Sequence, residues 1–319
     1  MKKWNRLGIL LLFSLVLLSI FICWQYVRIS SLYFPLVLQD GRSISWEEID
    51  DFLYQLQDLD LRAVGETAYD LIIIDYSSDG TAGGEYTTEQ IKALKFSPGE
   101  RKIVLAYMSI GEAEDYRFYW QPSWRPGNPS WLEEENPSWE GNYGVKYWDP
   151  AWQEIIFAYT DRLLQAGFDG AYLDLVDAYE YYLDQGRKSA AREMVDFIAA
   201  IATHARRVDP DFYIVPQNGA ELVELVPGYL ELVDGIGQEE LYYGYWGDDL
   251  PTPAKVTTQL EGYLDRFRGA GKKVFVVDYA LKPAHIDEVY ARAQQKGYIP
   301  FVAVRALDRL IIHPGHEPD

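Results

Sequence analysis

Residues 168–179, with the sequence FDGAYLDLVDAY, predict a buried strand that ends on a carboxylate. An Asp-Gly pair precedes the short apolar run, Asp174 follows it, and Asp177 comes three residues later. In parallel α/β barrels the loops after the strands form the active site, so this position is a candidate for catalysis. The alternative interpretation is that Asp174 only caps the next helix or ends the strand in an ion pair.

The chain around this stretch alternates between strand-like and helix-like segments. Eight candidate strands are residues 51–55, 69–75, 102–107, 170–174, 212–217, 235–239, 273–278 and 299–304. Helical periodicity covers residues 150–166, 190–207, 252–268 and 283–295. Strands and helices that alternate across residues 46–312 favour an α/β fold of the (β/α)8 TIM barrel type, with an open doubly wound sheet as the alternative.

The candidate strands end in polar or aromatic side chains, which a barrel collects at one mouth. These side chains are Asp75, Tyr107, Asp174, Gln217 with Asn218, Glu239 with Glu240, Asp278 and Arg305. Any one of them could be structural, but solvation alone does not explain a cluster that converges on one face. The pattern therefore predicts a functional site at the mouth of the barrel.

Residues 108–148 form a segment that is too long for an ordinary connection between a strand and a helix. The tripeptide Pro-Ser-Trp occurs in it three times, at residues 122–124, 129–131 and 137–139. Flat aromatic rings stack on sugar faces, so the segment is a candidate wall or platform of a sugar cleft. The alternative is a Pro-braced loop that packs on itself around its Trp residues, and both interpretations can hold together.

The charge of the chain limits its partners. It has 49 acidic and 29 basic residues and a formal net charge of −20, whereas nucleic-acid binding needs a basic surface. We therefore expect no nucleic-acid partner. The negative charge is either a means of solubility or a field that attracts a cationic polymer.

Cysteine, histidine and motif usage predict no metal site and no cofactor. The single cysteine, Cys23, cannot form a disulfide within the chain, and the four His residues have no ligand spacing. The sequence also lacks a phosphate-binding Gly-rich loop, a dinucleotide fingerprint and a HExxH motif.

The N-terminal residues 1–28 predict an uncleaved signal anchor. The uncharged run 7–24 is close to the shortest helix that spans a bilayer, and no small-residue cleavage site surrounds Cys23. Basic residues precede the run and only Arg28 closely follows it, which places the rest of the chain outside the cytoplasm. We expect an anchored extracellular or periplasmic domain at residues 46–312, joined by a linker at 29–45 and followed by a tail at 313–319. Secretion after signal cleavage is the alternative.

Five stretches of the sequence together carry a resemblance to a known family. They are YQLQ at 54–57, DLIIID at 70–75, YMSIGEAEDYRFYW at 107–120, YWDPAW at 147–152 and GFDGAYLD at 167–174. They resemble the endo-α-1,4-polygalactosaminidase family, glycoside hydrolase family 114. The resemblance covers roughly residues 46–310. It implies a (β/α)8 barrel, a polysaccharide substrate of α-1,4-linked galactosamine units, and two catalytic carboxylates after strands four and six.

Carried over by position, these carboxylates are Asp174 and Glu239. The adjacent Glu240 leaves the second assignment open by one residue, because side chains alternate along a strand and only one of the pair points inward. Glycoside hydrolysis requires one carboxyl group to protonate the leaving oxygen and another to attack or stabilise the sugar. We expect Asp174 to be the nucleophile, kept charged by Arg117 or Arg305, in an endo-acting and, by analogy, retaining enzyme.

Glu239 is then the general acid, and we expect Tyr242, Tyr243 and Trp246 to surround it and raise its pKa. The other candidate substrate-binding residues are Asp75, Tyr107, Glu112, Arg117, Tyr119, Trp148, Asp177, Asn218, Glu240, Tyr243, Asp278 and Arg305. Two alternatives remain: a carbohydrate-binding barrel without turnover, and another polysaccharide-tailoring enzyme such as a deacetylase or lyase.

Overall fold

The computed structural model describes residues 44–97 and 101–319. The predicted anchor at residues 1–28 lies outside the described residues, as does nearly all of the linker at 29–45. Within the described ranges, no helix combines the length and the apolar character that are needed to cross a membrane.

Eight parallel strands form a barrel, as the sequence predicts. They are β1 (Phe52–Tyr54), β2 (Leu71–Ile74), β3 (Ile103–Ser109), β4 (Gly170–Asp174), β5 (Tyr213–Pro216), β6 (Gly235–Glu239), β7 (Lys273–Asp278) and β8 (Ile299–Val302). Strands β1 to β5 pair in chain order, and so do β6 to β8. The strands are short apolar runs buried on both faces, which is the pattern of a parallel sheet covered by helices.

Backbone hydrogen bonds close the two runs of strands into one barrel. Between β5 and β6, the N–H of Asp234 donates to the carbonyl of Ile214 at 2.9 Å, and the N–H of Asn218 donates to the carbonyl of Gly237 at 2.8 Å. Beyond the ends of β1 and β8, the N–H of Leu56 donates to the carbonyl of Leu307 at 2.8 Å. The closed barrel places the carboxyl ends of all eight strands at one mouth.

Helices surround the barrel. They are α1 (Leu61–Gly65), α2 (Thr88–Lys95), α3 (Pro150–Ala166), α4 (Tyr179–Asp184), α5 (Ala190–Arg206), α6 (Leu222–Leu225), α7 (Tyr229–Leu232), α8 (Ala254–Gly269) and α9 (Pro283–Lys296). The four long helices, α3, α5, α8 and α9, occupy the segments in which the sequence shows helical periodicity.

The chain departs from a complete (β/α)8 pattern after β8, because the described residues that follow this strand form no helix. They pack on the barrel as an irregular tail instead. The hydroxyl of Tyr69 donates to the carbonyl of Ile311 at 2.8 Å, and the imidazole of His316 stacks on Tyr290 with ring centroids 4.0 Å apart. These contacts hold the C-terminal residues against the outside of the barrel.

Two insertions rise beside the mouth. Between β3 and α3, strands Glu112–Glu114, Leu132–Glu135 and Asn142–Val145 form a three-stranded antiparallel sheet with Asn142–Val145 in the centre. After β6, Tyr243–Gly244 and Gly247–Pro251 form a hairpin. The long Trp-rich segment is therefore an ordered sheet, and it places side chains next to the strand ends.

Candidate active site

A cavity of about 1010 Å³ lies at the mouth of the barrel, bounded by strand ends and by the insertion after β3. Acidic side chains strongly outnumber basic ones in its lining. The acidic residues of the lining are Asp58, Asp75, Asp79, Glu112, Glu114, Glu140, Asp174, Asp177, Glu180, Glu221, Glu239 and Glu240, and the basic ones are Arg117 and Arg305.

Asp174 ends β4 and its buried carboxylate accepts two hydrogen bonds. The hydroxyl of Tyr107 donates to Oδ2 and the backbone N–H of Leu175 donates to Oδ1, both at 2.7 Å. Burial raises the pKa of Asp174 well above its ordinary value, and the negative charge of Glu239 raises it further. The two hydrogen bonds act in the opposite direction.

Glu239 ends β6 and is surrounded by polar donors. Tyr279 donates to Oε1, Gln217 donates to Oε2, and the amide of Asn218 also donates to Oε2 at 3.3 Å. Burial raises the pKa of Glu239, and these hydrogen bonds oppose the shift. The expectation that Tyr242, Tyr243 and Trp246 surround this carboxyl is wrong, because none of the three lines the cavity.

The neighbouring Glu240 has a different environment. Its backbone adopts a positive φ of 57°, and its carboxylate receives a hydrogen bond of 2.6 Å from Arg305. Arg305 also donates to Asp248 at 2.8 Å and lies over the ring of Tyr279. Glu240 is thus held in an ion pair at the cavity wall.

Arg117 is buried between two carboxylates of the cavity. Its guanidinium donates to Asp75 at 2.7 and 2.8 Å and to Glu114 at 2.6 and 3.0 Å. Burial raises the pKa of Asp75 to about 6, although the charge of Arg117 opposes this shift. The expectation that Arg117 or Arg305 keeps Asp174 charged is wrong, because both arginines are paired with other acids.

A second group of acids lies beyond Asp174 on the same side of the cavity. Burial raises the pKa of Asp177 to about 7, and the charges of Glu239 and Glu221 add to the shift. Tyr179 donates a hydrogen bond to Glu221. A hydrogen bond with Glu221 raises the pKa of Glu180 to about 8, and burial contributes to the same shift.

The structure brings most of the predicted site residues together. Those that line the cavity are Asp75, Tyr107, Glu112, Arg117, Asp174, Asp177, Asn218, Glu239, Glu240 and Arg305. Glu112 stabilises part of the insertion, because the side-chain amides of Asn136 and Asn142 donate to its carboxylate at 2.8 and 3.4 Å.

Two predicted aromatic residues lie outside the cavity. The hydroxyl of Tyr119 accepts the backbone N–H of Glu114 at 3.0 Å, and its ring packs edge-on against Trp152. The guanidinium carbon of Arg187 lies over Trp148, 3.7 Å from the centroid of the indole ring. Tyr119 thus joins the insertion to α3, Trp148 packs against Arg187, and neither residue lines the cavity.

Asp278 and Tyr243 also lie outside the cavity, for one shared reason. The buried Oδ1 of Asp278 accepts the backbone N–H groups of Tyr242 and Tyr243 at 2.8 and 2.7 Å, so it fixes the loop after β6. The ring of Tyr243 then stacks on His285, and its hydroxyl donates to Glu288 at 2.8 Å.

Three residues around the carboxylates, Tyr279, Gln217 and Tyr54, are absent from the predicted catalytic and substrate-binding residues. Tyr279 directly follows Asp278 and points inward where Asp278 does not. Gln217 bridges Glu239 and the hydroxyl of Tyr54, which donates to it at 3.1 Å. A signal was present in the sequence, since Gln217 ends a candidate strand and Tyr54 opens one of the five family stretches.

One further group of carboxylates has the spacing of metal ligands. Oxygens of Asp50, Asp51 and Asp70 lie within 4.8 Å of one another, before β1 and β2 and thus at the end of the barrel away from the cavity. Oδ2 of Asp70 accepts the backbone N–H of Asp50 at 3.0 Å, and Oδ1 of Asp51 accepts the backbone N–H of Asp70 at 2.8 Å. The cluster therefore serves to join the starts of the two strands.

The sequence of residues 38–317 matches the profile of glycoside-hydrolase family GH114. The chain belongs to glycoside-hydrolase family GH114. The resemblance that its motifs carry is thereby confirmed. An uncharacterized protein of Methanocaldococcus jannaschii is 42% identical over 271 residues, which cover 81% of this chain and 77% of the relative. An uncharacterized protein of Thermotoga maritima is 39% identical over 282 residues, which cover 84% and 85%.

Solved structures with a similar fold include a glycoside hydrolase domain and a protein bound to galactosamine. The glycoside hydrolase domain of PelA from Pseudomonas aeruginosa aligns with a TM-score of 0.63 and 19% identity, over 82% of this chain and 96% of that domain. Ega3 of Aspergillus fumigatus, solved in complex with galactosamine, aligns with a TM-score of 0.62 and 16% identity, over 84% and 97%. At these identities the likeness shows that this GH114 protein shares their fold.

Proposed function

We propose that this GH114 protein is an endo-acting, retaining glycoside hydrolase of an exopolysaccharide built from α-1,4-linked galactosamine and N-acetylgalactosamine. The observation that carries the proposal is the acidic cavity at the mouth of the barrel. The buried Asp174 and the half-buried Glu239 end strands β4 and β6 there, and the described cations of the lining, Arg117 and Arg305, are paired with other acids. Such a lining favours a polymer that carries ammonium groups.

Asp174 and Glu239 are assigned the two roles that glycoside hydrolysis needs. Glu239 protonates the glycosidic oxygen while Asp174 attacks the anomeric carbon, so that the sugar is transferred to the enzyme as the leaving chain departs. Water then attacks the same carbon, Glu239 accepts its proton, and Asp174 is released. The ion pair between Arg305 and Glu240 supports Glu239, rather than Glu240, as the acid.

The protonation of the pair fits this scheme once the substrate is bound. Two carboxyl groups that interact in a buried site share a proton more readily than they both ionise. Burial raises the pKa of both groups here, and the charge of Glu239 adds to the shift of Asp174. An ammonium group of the substrate stabilises the Asp174 carboxylate, and the charge of that carboxylate then raises the pKa of Glu239.

The reaction is tested by incubating the full-length protein with a panel of aminosugar polymers and measuring the release of reducing ends. An endo-acting enzyme shortens the whole polymer early in digestion, whereas an exo-acting one releases small products from its ends. If reducing ends are released from another polymer but not from galactosamine polymers, the proposed substrate is wrong.

The two roles are separated by the choice of leaving group. An aryl glycoside with an acidic phenol needs no protonation to leave, so the Glu239→Gln variant should form the covalent intermediate from it readily. The Asp174→Asn variant should stay inactive on both substrates because it lacks the nucleophile. The reverse pattern would exchange the two roles.

A further inference from the structure

The three Pro-Ser-Trp repeats of the insertion differ sharply in the exposure of their Trp side chains. Trp131 is 3% exposed, and Trp124 is half-buried with its ring 5.0 Å from that of Trp131. Trp139 is 51% exposed and lines the catalytic cavity. The first two repeats build the core of the insertion, and the third presents its indole to the cavity.

The turn that carries Trp139 is rigidly braced. The backbone N–H of Ser138 donates to the side-chain carbonyl of Asn136 at 2.9 Å, and the N–H of Asn142 donates to the carbonyl of Trp139 at 3.1 Å. Gly141 has a φ of 84°, which suits glycine, and its N–H donates to Glu135 at 2.7 Å. An exposed aromatic side chain on such a turn is preorganised for contact with a ligand.

Direct contacts tie this turn to the loop around Asp174. The amides of Asn136 and Asn142 donate to Glu112, at the start of the insertion. The preceding residue, Gly111, packs so closely on the loop after β4 that a Cβ there would lie 2.2 Å from the carbonyl oxygen of Leu175. The turn with Trp139 therefore borders the Asp174 side of the cavity.

We propose that Trp139 and the adjacent Glu140 form a sugar-binding subsite beyond the cleaved bond, for a hexosamine unit with a free amino group. The proposal rests on the proposed function. The apolar C–H face of the sugar stacks on the indole, whose electron-rich face also attracts a cation. Glu140 lines the cavity next to Trp139, where its carboxylate attracts the ammonium group of the same unit. This subsite binds longer chains and selects deacetylated units in one position.

The test compares hydrolysis of galactosamine oligomers of increasing length by the unaltered protein and by two variants, Trp139→Ala and Trp139→Phe. We expect Trp139→Ala to lower kcat/KM more as the oligomer lengthens, reaching about tenfold on the longest, mainly through KM. Trp139→Phe should recover part of the loss because a ring remains. Phe96→Ala, which removes an exposed ring outside the cavity lining, is the control and should match the unaltered protein at every length.

Calorimetric titration of the same oligomers into the Asp174→Asn protein, with and without Trp139→Ala, measures binding apart from turnover. Tighter binding of long oligomers that depends on Trp139 supports the subsite even if no polymer is cleaved. The unaltered protein could cleave the oligomers while Trp139→Ala lowers kcat/KM equally, or not at all, at every length. That result would contradict the subsite and leave the proposed hydrolase activity intact. If the protein neither binds nor cleaves them, both proposals fall.

Discussion

The hydroxyl of Tyr107 donates a hydrogen bond of 2.7 Å to Oδ2 of Asp174, and both side chains are buried at the mouth of the barrel. Parallel pairing brings them together, since Tyr107 on β3 stands opposite Tyr172 and Asp174 follows two residues later on β4. A hydrogen bond to a carboxylate stabilises its charged form. Burial raises the pKa of Asp174, and the hydrogen bond from Tyr107 partly offsets this effect.

Replacing Tyr107 by Phe should make Asp174 harder to ionise. In the unaltered protein the hydrogen bond from Tyr107 lowers the pKa of Asp174, so its loss raises that pKa. The acidic limb of the pH profile of kcat/KM should therefore move to higher pH. Hydrogen bonds to charged groups contribute about 1.5–3 kcal/mol, so we expect a loss of at least about tenfold at neutral pH. Tyr243→Phe is the control, since this hydroxyl contacts Glu288 outside the cavity. An unchanged profile for Tyr107→Phe would remove the phenol from the ionisation of Asp174.

The barrel and the position of Asp174 could be predicted because each depends on local sequence, whereas Glu239 was reached through the family resemblance. A short apolar run between Gly170 and Asp174 specifies β4, and the predicted bounds of β4 and β6 both agree with the structure. A carboxylate at the end of such a strand reaches the mouth because parallel strands share one direction. Family membership, carried by motifs near the same strands, is confirmed by the profile match.

The direction of the side chains at the end of a strand could not be predicted from the sequence. Asp278 ends β7 just as Asp174 ends β4, yet Asp278 turns away to bind two backbone N–H groups and Tyr279 points inward instead. The difference arises from the loop after β6, which is distant in sequence. The three Pro-Ser-Trp tripeptides are likewise identical in sequence, and only packing shows that Trp139 is the exposed one.

Removal of the Arg117 charge should destabilise the fold. The guanidinium lies buried between Asp75 and Glu114, so Arg117→Met leaves two buried carboxylates without a counter-charge. Breaking a buried ion pair in this way costs about 3–5 kcal/mol of the free energy of unfolding. Thermal unfolding followed by circular dichroism measures the loss. Arg62→Met, at an exposed pair with Glu66, should change the Tm far less.

The same variant should respond to pH in a defined direction. Burial already raises the pKa of Asp75 to about 6 in the folded protein, and Arg117 opposes this shift through its charge and its hydrogen bonds. Without Arg117 the folded-state pKa rises further, so the cost of ionising Asp75 extends to higher pH. The Tm difference between Arg117→Met and the unaltered protein should therefore be larger at about pH 8 than at about pH 5. Equal differences at both pH values would contradict this account of the ion pair.

The acidic cavity should favour cationic oligomers through long-range attraction. Electrostatic steering raises the encounter rate of an ammonium-bearing chain, and salt screens it within about 8 Å at physiological ionic strength. Galactosamine oligomers should therefore be cleaved faster than acetylated ones at about 20 mM salt, with a smaller preference at about 300 mM. If the charge serves solubility alone, the preference will not depend on salt.

The N-terminal run should remain on the mature protein. We propose that residues 1–28 anchor the chain with the barrel outside the cytoplasm, because small residues are absent around Cys23 and basic residues precede the run. Membrane fractionation, combined with a mass measurement of the N-terminal peptide, checks this. A soluble mature form that begins near residues 25–32 would show that the run is a cleaved signal.

The exchange of Asp174 for Asn tests the central claim most directly. We expect Asp174→Asn to keep the circular dichroism spectrum of the unaltered protein and to lose at least about a thousandfold in the rate of reducing-end release. Asp196→Asn, the same exchange at an exposed position on α5, is the matched control and should leave the rate unchanged. A folded Asp174→Asn protein that keeps more than about a tenth of the rate would show that Asp174 is not the nucleophile.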